Sequence, residues 1–456
     1  MRTFYALLLL LVPSHLLAEE PTESAPPAGA DPARGGGSCG CAGDEPGPLA
    51  GELDPSFGEA GTGIARVRFG ADDDGGFFDL DIVGDRIIAA GWGAGGLGAI
   101  RFRLSRLTGS GAPDATFGDN GMVATSWFNS TAALAYLAAV GHQRDGGVVA
   151  IGWHDRFRDA SADVALARYV EDGSLDAGFG DGGRSLLDLG GDEEIRGGLV
   201  APDDSIVAVG QRDGRLLIAR ATADGALDTS FASPRGYRTV SLGTSSVAEA
   251  VALDRFGRLV VAGSVERGGQ RDMLVIRLRR DGALDRSFGR GGAIVAGDPG
   301  LDERAVALAL SPDGGLVVAG DAGPEGARDF QVRRFHPDGA PDLEFGDEGV
   351  AAWPTTGGDD VAADMALLPG GAVLVAGNGG ERGEGGTTTP LLARYTCDGA
   401  LDPAFGEGGV LPVDLGEFGQ LHTVEVVSGD QVLLGGGDVG MSPGPGTYGV
   451  VARMWM

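Results

Sequence analysis

The residues of this chain whose types suit chemistry are few and fall into short segments. His154 and His422 lie where two imidazoles could hold a metal or exchange protons. Carboxylates gather at Asp72-Asp73-Asp74, at Asp192-Glu193-Glu194, at Asp298 with Asp302-Glu303, and at Asp359-Asp360. Such groups suit cations, and Asp72, Asp73 and Asp74 are the candidate calcium ligands, although no D-x-D-x-D-G loop orders them. Trp92, Trp153 and Tyr448 stand close in sequence to these polar or variable segments and give a ligand something flat to pack on. His142 and His336 fall in turns that belong to the opposite end of the elements described below.

Composition removes several function classes. The basic residues are all arginine, so a P-loop and a Schiff-base enzyme, both of which need lysine, are excluded. The formal net charge is −30, which repels phosphate backbones and excludes nucleic acid as a partner while leaving cations, basic proteins and neutral glycans open. Gly36-x-Ser38-x-Gly40 fits a nucleophile elbow but lies in a Pro/Gly-rich tail without a strand or helix. The G-x-G-x-x-G matches beginning at Gly93 and Gly444 precede no helix and are expected by chance among 84 glycines.

What must position these residues is a repeat. The pattern L/P-D-x-x-F, usually followed by G-x-x-G, has its Phe at Phe57, Phe117, Phe179, Phe231, Phe288, Phe345 and Phe405, with gaps of 60, 62, 52, 57, 57 and 60 residues. A recurrence of this size marks one supersecondary unit copied along the chain. Each unit has an apolar run ending in Gly, at Gly91, Gly152, Gly210, Gly263, Gly320, Gly377 and Gly436, and such runs read as buried strands. Turn chemistry such as Pro312-Asp313-Gly314 precedes most of them, with an apolar segment upstream and an Arg-bearing segment downstream. The F-G-x-x-G corner leads into a fourth segment, and none shows a helical period.

Four short antiparallel strands per unit, many units and Gly-rich corners predict an all-β, seven-bladed β-propeller spanning residues 51–456. In this frame the chain begins with an outer strand and ends with three inner ones, so the two termini complete one blade and close the ring. The combination of PDG-type hairpin, VVAG strand, ARY-like strand and D-G-x-L-D-x-x-F-G-x-x-G resembles the delta-60 repeat family over residues 51–456. That resemblance implies a propeller-like fold and little about activity. Two units depart from it: Phe231 is followed by Ala232-Ser233-Pro234-Arg235-Gly236, and Ala112-Pro113-Asp114 replaces a clean D-G-x-L-D.

The Asp of the motif recurs at Asp54, Asp114, Asp176, Asp228, Asp285, Asp342 and Asp402. Eight residues before the last six stand Arg106, Arg168, Arg220, Arg277, Arg334 and Arg394, and Arg453 matches the same point of the last unit. Copied into every unit, they read as structural: the Asp satisfies corner N–H groups, the Arg is its charge-assisted partner, and the Phe plugs the core between blades.

Residues 1–18 read as an export signal, with Arg2 before an apolar stretch from Tyr5 to Val12 that is too short to span a bilayer. Residues 19–50 have a linker composition. Cys39 or Cys41 could pair with Cys397, or the two with each other, in an oxidising compartment. The expectation is a secreted or periplasmic, monomeric, non-catalytic module without a transmembrane segment. It would meet a protein or glycan on an acidic face formed by the variable loops, without a cofactor unless calcium is one. A hydrolase or lyase working from the same face, and a purely structural envelope protein, are the alternatives.

Overall fold

The computed structural model describes residues 50–59, 61–68, 74–94, 100–127, 134–155, 161–324, 326–353, 358–380, 388–415, 419–438 and 448–456. The candidates Asp72 and Asp73, the linker, the N-terminal apolar stretch, and Cys39 and Cys41 lie outside these residues. Cys397 is disulfide-bonded. Among the described residues the fold is all-β, with a single 3-10 turn at Pro369–Gly371 and no helix long and apolar enough to cross a membrane.

After a first short strand, β1 (Ile64–Val67), the chain runs in meanders. The first is β2 (Asp74–Val83), β3 (Arg86–Ala94), β4 (Ile100–Thr108) and β5 (Met122–Thr125). The next is β6 (Leu134–His142), β7 (Val148–Asp155), β8 (Ala162–Tyr169) and β9 (Arg184–Leu187). Then come β10 (Glu193–Val200), β11 (Ile206–Arg212), β12 (Arg215–Ala221) and β13 (Tyr237–Val240), followed by β14 (Ser245–Leu253), β15 (Leu259–Arg267), β16 (Gln270–Leu278) and β17 (Ala293–Ala296). The meander β18 (Asp302–Leu310), β19 (Leu316–Gly323), β20 (Asp329–Phe335), β21 (Val350–Ala352) precedes β22 (Val361–Leu367), β23 (Val373–Gly379), β24 (Thr389–Tyr395), β25 (Val410–Pro412). The chain ends with β26 (Gly419–Ser428), β27 (Gln431–Asp438) and β28 (Gly449–Trp455). Each meander is an antiparallel sheet in chain order, and the first two are joined by one parallel bridge between Ile100 and Leu134. The last three strands take β1 as their fourth, with Ile64 opposite Ala452. First strands pack beside first strands, and β2 packs against β26 and β27.

The core lies between neighbouring sheets. One cluster joins Phe330 and Phe345 to Ala362, Val373 and Tyr395, all buried; another joins Leu80 and Phe77 to Leu433 and Val451. The motif phenylalanines sit here, none more than 1% exposed, and burying each contributes about 3 kcal/mol. Arg277 explains why the motif is copied as a set. Its Nε donates to Asp285 at 2.9 Å, its Nη1 to the Pro337 carbonyl of the next meander at 2.6 Å, and its guanidinium lies 4.5 Å from the Phe288 ring centroid. Asp285 also accepts from Ser287 N–H and Oγ, and the Gly289 N–H donates to Asp338 in the next meander at 2.8 Å. The same Arg–Asp pair forms at Arg106–Asp114, Arg168–Asp176, Arg220–Asp228, Arg334–Asp342, Arg394–Asp402 and Arg453–Asp54. One side chain therefore ties corner, core and neighbour together. At the irregular corner after Phe231, Ala232 still delivers its N–H to Asp281 at 2.9 Å.

Every first strand carries a bulge, with the extra residue at Phe78, Ala138, Arg196, Glu249, Val306, Ala363 or His422. The copied Gly is its counterpart. A Cβ on Gly320 would lie 1.8 Å from the Arg304 carbonyl oxygen, and one on Gly91 1.9 Å from that of Gly76. The bulge presses the first strand onto the second at this point, and only Gly leaves room.

Candidate functional site

The bulge also decides what the first two strands present beside the copied Gly. Immediately after that Gly, a cross-strand pair recurs at one register and changes in every meander: Gly76 opposite Trp92, Tyr136 opposite Trp153, Glu194 opposite Gln211, Val247 opposite Ser264, Arg304 opposite Asp321, Val361 opposite Asn378, Gln420 opposite Gly437. Repetition fixes the scaffold and variation occupies this point. The bulged side chains share the space: Arg196 donates to Glu194 at 3.1 Å, and Phe78 stacks on Trp92 at 5.3 Å.

Together these positions build a continuous row of rings. His422 stacks on Phe78 at 4.5 Å, Phe78 on Trp92, Trp92 meets Tyr136 edge-on at 5.4 Å, and Tyr136 stacks on Trp153 at 4.4 Å. Phe78 and His422 are buried, whereas Trp92, Tyr136 and Trp153 are partly exposed. Both His422 ring nitrogens lack a hydrogen-bond partner among the described residues, as does Trp92 Nε1. Burial holds the His422 pKa down at about 4, so the ring is neutral at pH 7. Beyond the Trp153 end stand Asp155, Asp192 and Glu194. Burial raises the Asp155 pKa, and repulsion from Asp192 and Glu194 adds to it. Burial also raises the Tyr136 pKa, with Asp155 and Glu194 adding to it.

The meanders after the row are ionic at the same level. Glu194 accepts from Gln211 at 2.8 Å, and Arg304 pairs with Asp321 at 2.8 Å. Glu249 is 8% exposed and its Oε2 has no partner among the described residues. Burial raises its pKa against the pull of Arg196, Arg304 and Arg271. This ionic stretch and the row of rings share one register.

Several residues stand elsewhere than the sequence suggests. His154 and His422, expected near variable loops, are both strand residues, 1% exposed, in β7 and β26. Their runs extend further than the apolar pattern suggests, which draws the rings inward. Trp127 lies 6.2 Å from His154, and the row above does not include it. Tyr448 stands apart, its hydroxyl accepting from Arg68 at 2.7 Å. Asp74 opens β2. The acidic segments do more than face solvent: Asp192, Asp302 and Asp359 accept the Ala162, Arg271 and Arg328 N–H groups of the preceding meander at 2.9, 3.0 and 3.0 Å. Glu193 and Asp360 are buried, and burial lifts Glu193 to about 7 while Arg212 holds it at 3.1 Å. Asp163, Asp188 and Glu193 bring ligand atoms within 4.8 Å of one another, the group of carboxylates best placed to hold a cation among the described residues. Sequence reasoning missed Phe78 and Tyr136 altogether.

At the other end of the first strands lies a second group of acids. Asp79 accepts the Val140 N–H of the next meander at 2.6 Å, and Asp364 accepts the Val424 N–H and the Thr423 hydroxyl, both at 2.9 Å. Burial pushes Asp364 to about 7 and Asp79 well above the usual carboxylate range, where Asp81, Asp364 and Glu425 also repel it. His142 is held protonated more readily by Asp81, 2.8 Å away. These acids clamp meander to meander.

Packed antiparallel four-stranded meanders, first strand against first strand, define a β-propeller repeat protein. The model of the family described as "Domain of unknown function (DUF5122) beta-propeller" matches the chain in six repeats, at residues 85–117, 143–179, 201–231, 257–288, 311–345 and 369–405. No curated protein matches it in sequence. Among solved structures it is similar to a protein from Dyadobacter fermentans DSM 18053 (12% identity, 86% of this chain and 99% of that one, TM-score 0.46). It is also similar to polysaccharide lyase Uly1 (9%, 83% and 90%, TM-score 0.48) and to the PQQ-bound aldose sugar dehydrogenase of Streptomyces coelicolor (17%, 70% and 93%, TM-score 0.41). Likenesses this distant carry no argument about function.

Proposed function

We propose that the chain is an exported, non-catalytic, glycan-binding propeller of delta-60 type, with seven blades in a ring that β1 closes beside β28. The register of the meanders, the packing of β2 against β26 and β27, and the shared cluster of Leu80 with Leu433 support the ring. The apolar stretch from Tyr5 to Val12 and the disulfide at Cys397 support export.

The observation that carries the binding reading is the row of rings from His422 to Trp153. Aromatic rings offer apolar surface with little conformational freedom to lose, and carboxylates and amides beside them accept and donate hydrogen bonds. Sugars present that combination in reverse: C–H faces with hydroxyls at the edge. Trp92 Nε1 and the His422 nitrogens are buried polar atoms with no partner among the described residues, which a hydroxyl or an ordered water would satisfy. In affinity electrophoresis through gels cast with soluble polysaccharides, at least one glycan should retard the wild-type chain. Trp153→Ala and Tyr136→Ala should abolish that retardation while still unfolding in one cooperative urea transition, each with a stability loss of roughly 1–3 kcal/mol because the rings stack on each other and Trp153 packs on the core. Equal retardation of wild type and both variants would remove the row from the binding account.

A further inference from the structure

We propose that the glycan carries free amines, and that a protonated amino sugar sits at the Tyr136–Trp153 end of the row with its ammonium toward Asp155. This rests on the glycan-binding reading above. Tyr136 and Trp153 stack at 4.4 Å and are both partly exposed, so the ring pair presents electron-rich surface to the site. A cation is attracted to that surface; an anion is repelled.

The carboxylates act in the same direction. Asp155 ends β7 two residues after Trp153, paired there with Leu134 and Ala162, and no side-chain hydrogen bond or ion pair reaches its carboxylate among the described residues. Asp192 and Glu194 add their charge to its surroundings. Among the described residues Arg196 touches this group and is already engaged by Glu194 at 3.1 Å, and Gln211 takes the same Glu194 oxygen at 2.8 Å. Among the described residues the balance there is negative, as is that of the chain at −30. At the far end of the row, His422 is 1% exposed with both ring nitrogens partnerless among the described residues, so the row holds an unmet polar demand apart from its acids. A uronate or sulfated sugar would meet like charge at the Trp153 end. A neutral sugar would stack but leave the Asp155 carboxylate without a counter-charge among the described residues.

The test is isothermal titration of the full chain with two probes of equal length, the β-1,4-linked glucosamine tetramer and its fully N-acetylated counterpart, at a pH where the free amines are protonated. The expected result is about tenfold tighter binding of the amine form, the range of one desolvated cation–π contact. Asp155→Asn should erase most of that difference and leave the acetylated probe unchanged, with the wild-type urea midpoint as the control for folding. Raising salt should weaken only the amine form. Equal or tighter binding of the acetylated tetramer overturns the inference and leaves the glycan reading standing. An amine preference that survives Asp155→Asn also overturns it, by placing the recognition elsewhere. Binding of neither tetramer, when another glycan is held through Trp153, overturns the inference alone; binding of no glycan at all overturns both.

Discussion

Gly320→Ala isolates the link between bulge and copied glycine. Its Cβ would stand 1.8 Å from the Arg304 carbonyl oxygen and 3.1 Å from the Ala305 Cα, both backbone atoms that cannot swing aside. Tolerable carbon–oxygen contacts begin near ~3.3 Å, so β18 and β19 must part by roughly 1.5 Å at the bulge. That separation breaks about two ladder hydrogen bonds, worth ~1 kcal/mol each, and leaves a buried carbonyl short of a donor at ~1–3 kcal/mol. Replacing Gly in a strand returns ~0.5–1 kcal/mol through the unfolded chain. The net expectation is a loss of about 3 kcal/mol by urea unfolding followed by tryptophan fluorescence. Gly76→Ala is the control. Gly76 stands in a first strand opposite Trp92, with no positive φ, and a methyl added there would lie 3.5 Å from its nearest backbone atom, so this variant should unfold within about 1 kcal/mol of wild type. A Gly320→Ala chain as stable as wild type would refute the reasoning that the bulge requires glycine.

Two further outcomes follow from the same contacts. Arg277→Lys should lose about 3 kcal/mol, because an ammonium cannot serve Asp285, the Pro337 carbonyl and the Phe288 face together; a smaller loss than that of the exposed Arg144→Lys would contradict the latch. Asp364 has a folded pKa of about 7, above its usual 3.8, so its contribution is fully present below pH ~4 and is lost as pH rises through 7. Asp79 and Glu425 are raised in the same direction. Urea midpoints at pH 5 to 8 should therefore fall more steeply for wild type than for Asp364→Asn, and parallel curves would reject the assignment. Asp285 works oppositely: burial raises its pKa, but Ser287 and Arg277 win and hold it low, so its stabilisation is lost on acidification.

The repeat made the fold legible because identical demands recur: a left-handed corner glycine, a plug for the core, an Arg–Asp latch. The strand order and the pairing of β1 with β28 both follow from the phase of Phe57 against Arg453. The site was only half legible. Trp92 and Trp153 stood out as aromatics, and both follow the copied Gly directly, a signal that their shared register would have made decisive. Phe78 and Tyr136 were hidden because first strands read as uniformly apolar runs, in which an extra residue leaves no mark on the pattern. The same invisible bulge misplaced His422, since a one-residue shift moves a side chain to the other face. The acidic segments read in sequence as a binding face because nothing in Asp192 or Asp359 announces the N–H group it accepts from the preceding meander.

The central claim is that the row from His422 to Trp153 is where a glycan binds, and its most direct test is intrinsic tryptophan fluorescence of the full chain titrated with a panel of soluble glycans. The account predicts a saturable change with at least one of them that disappears in Trp153→Ala. No saturable change with any glycan, or one that persists unaltered in Trp153→Ala, would contradict it.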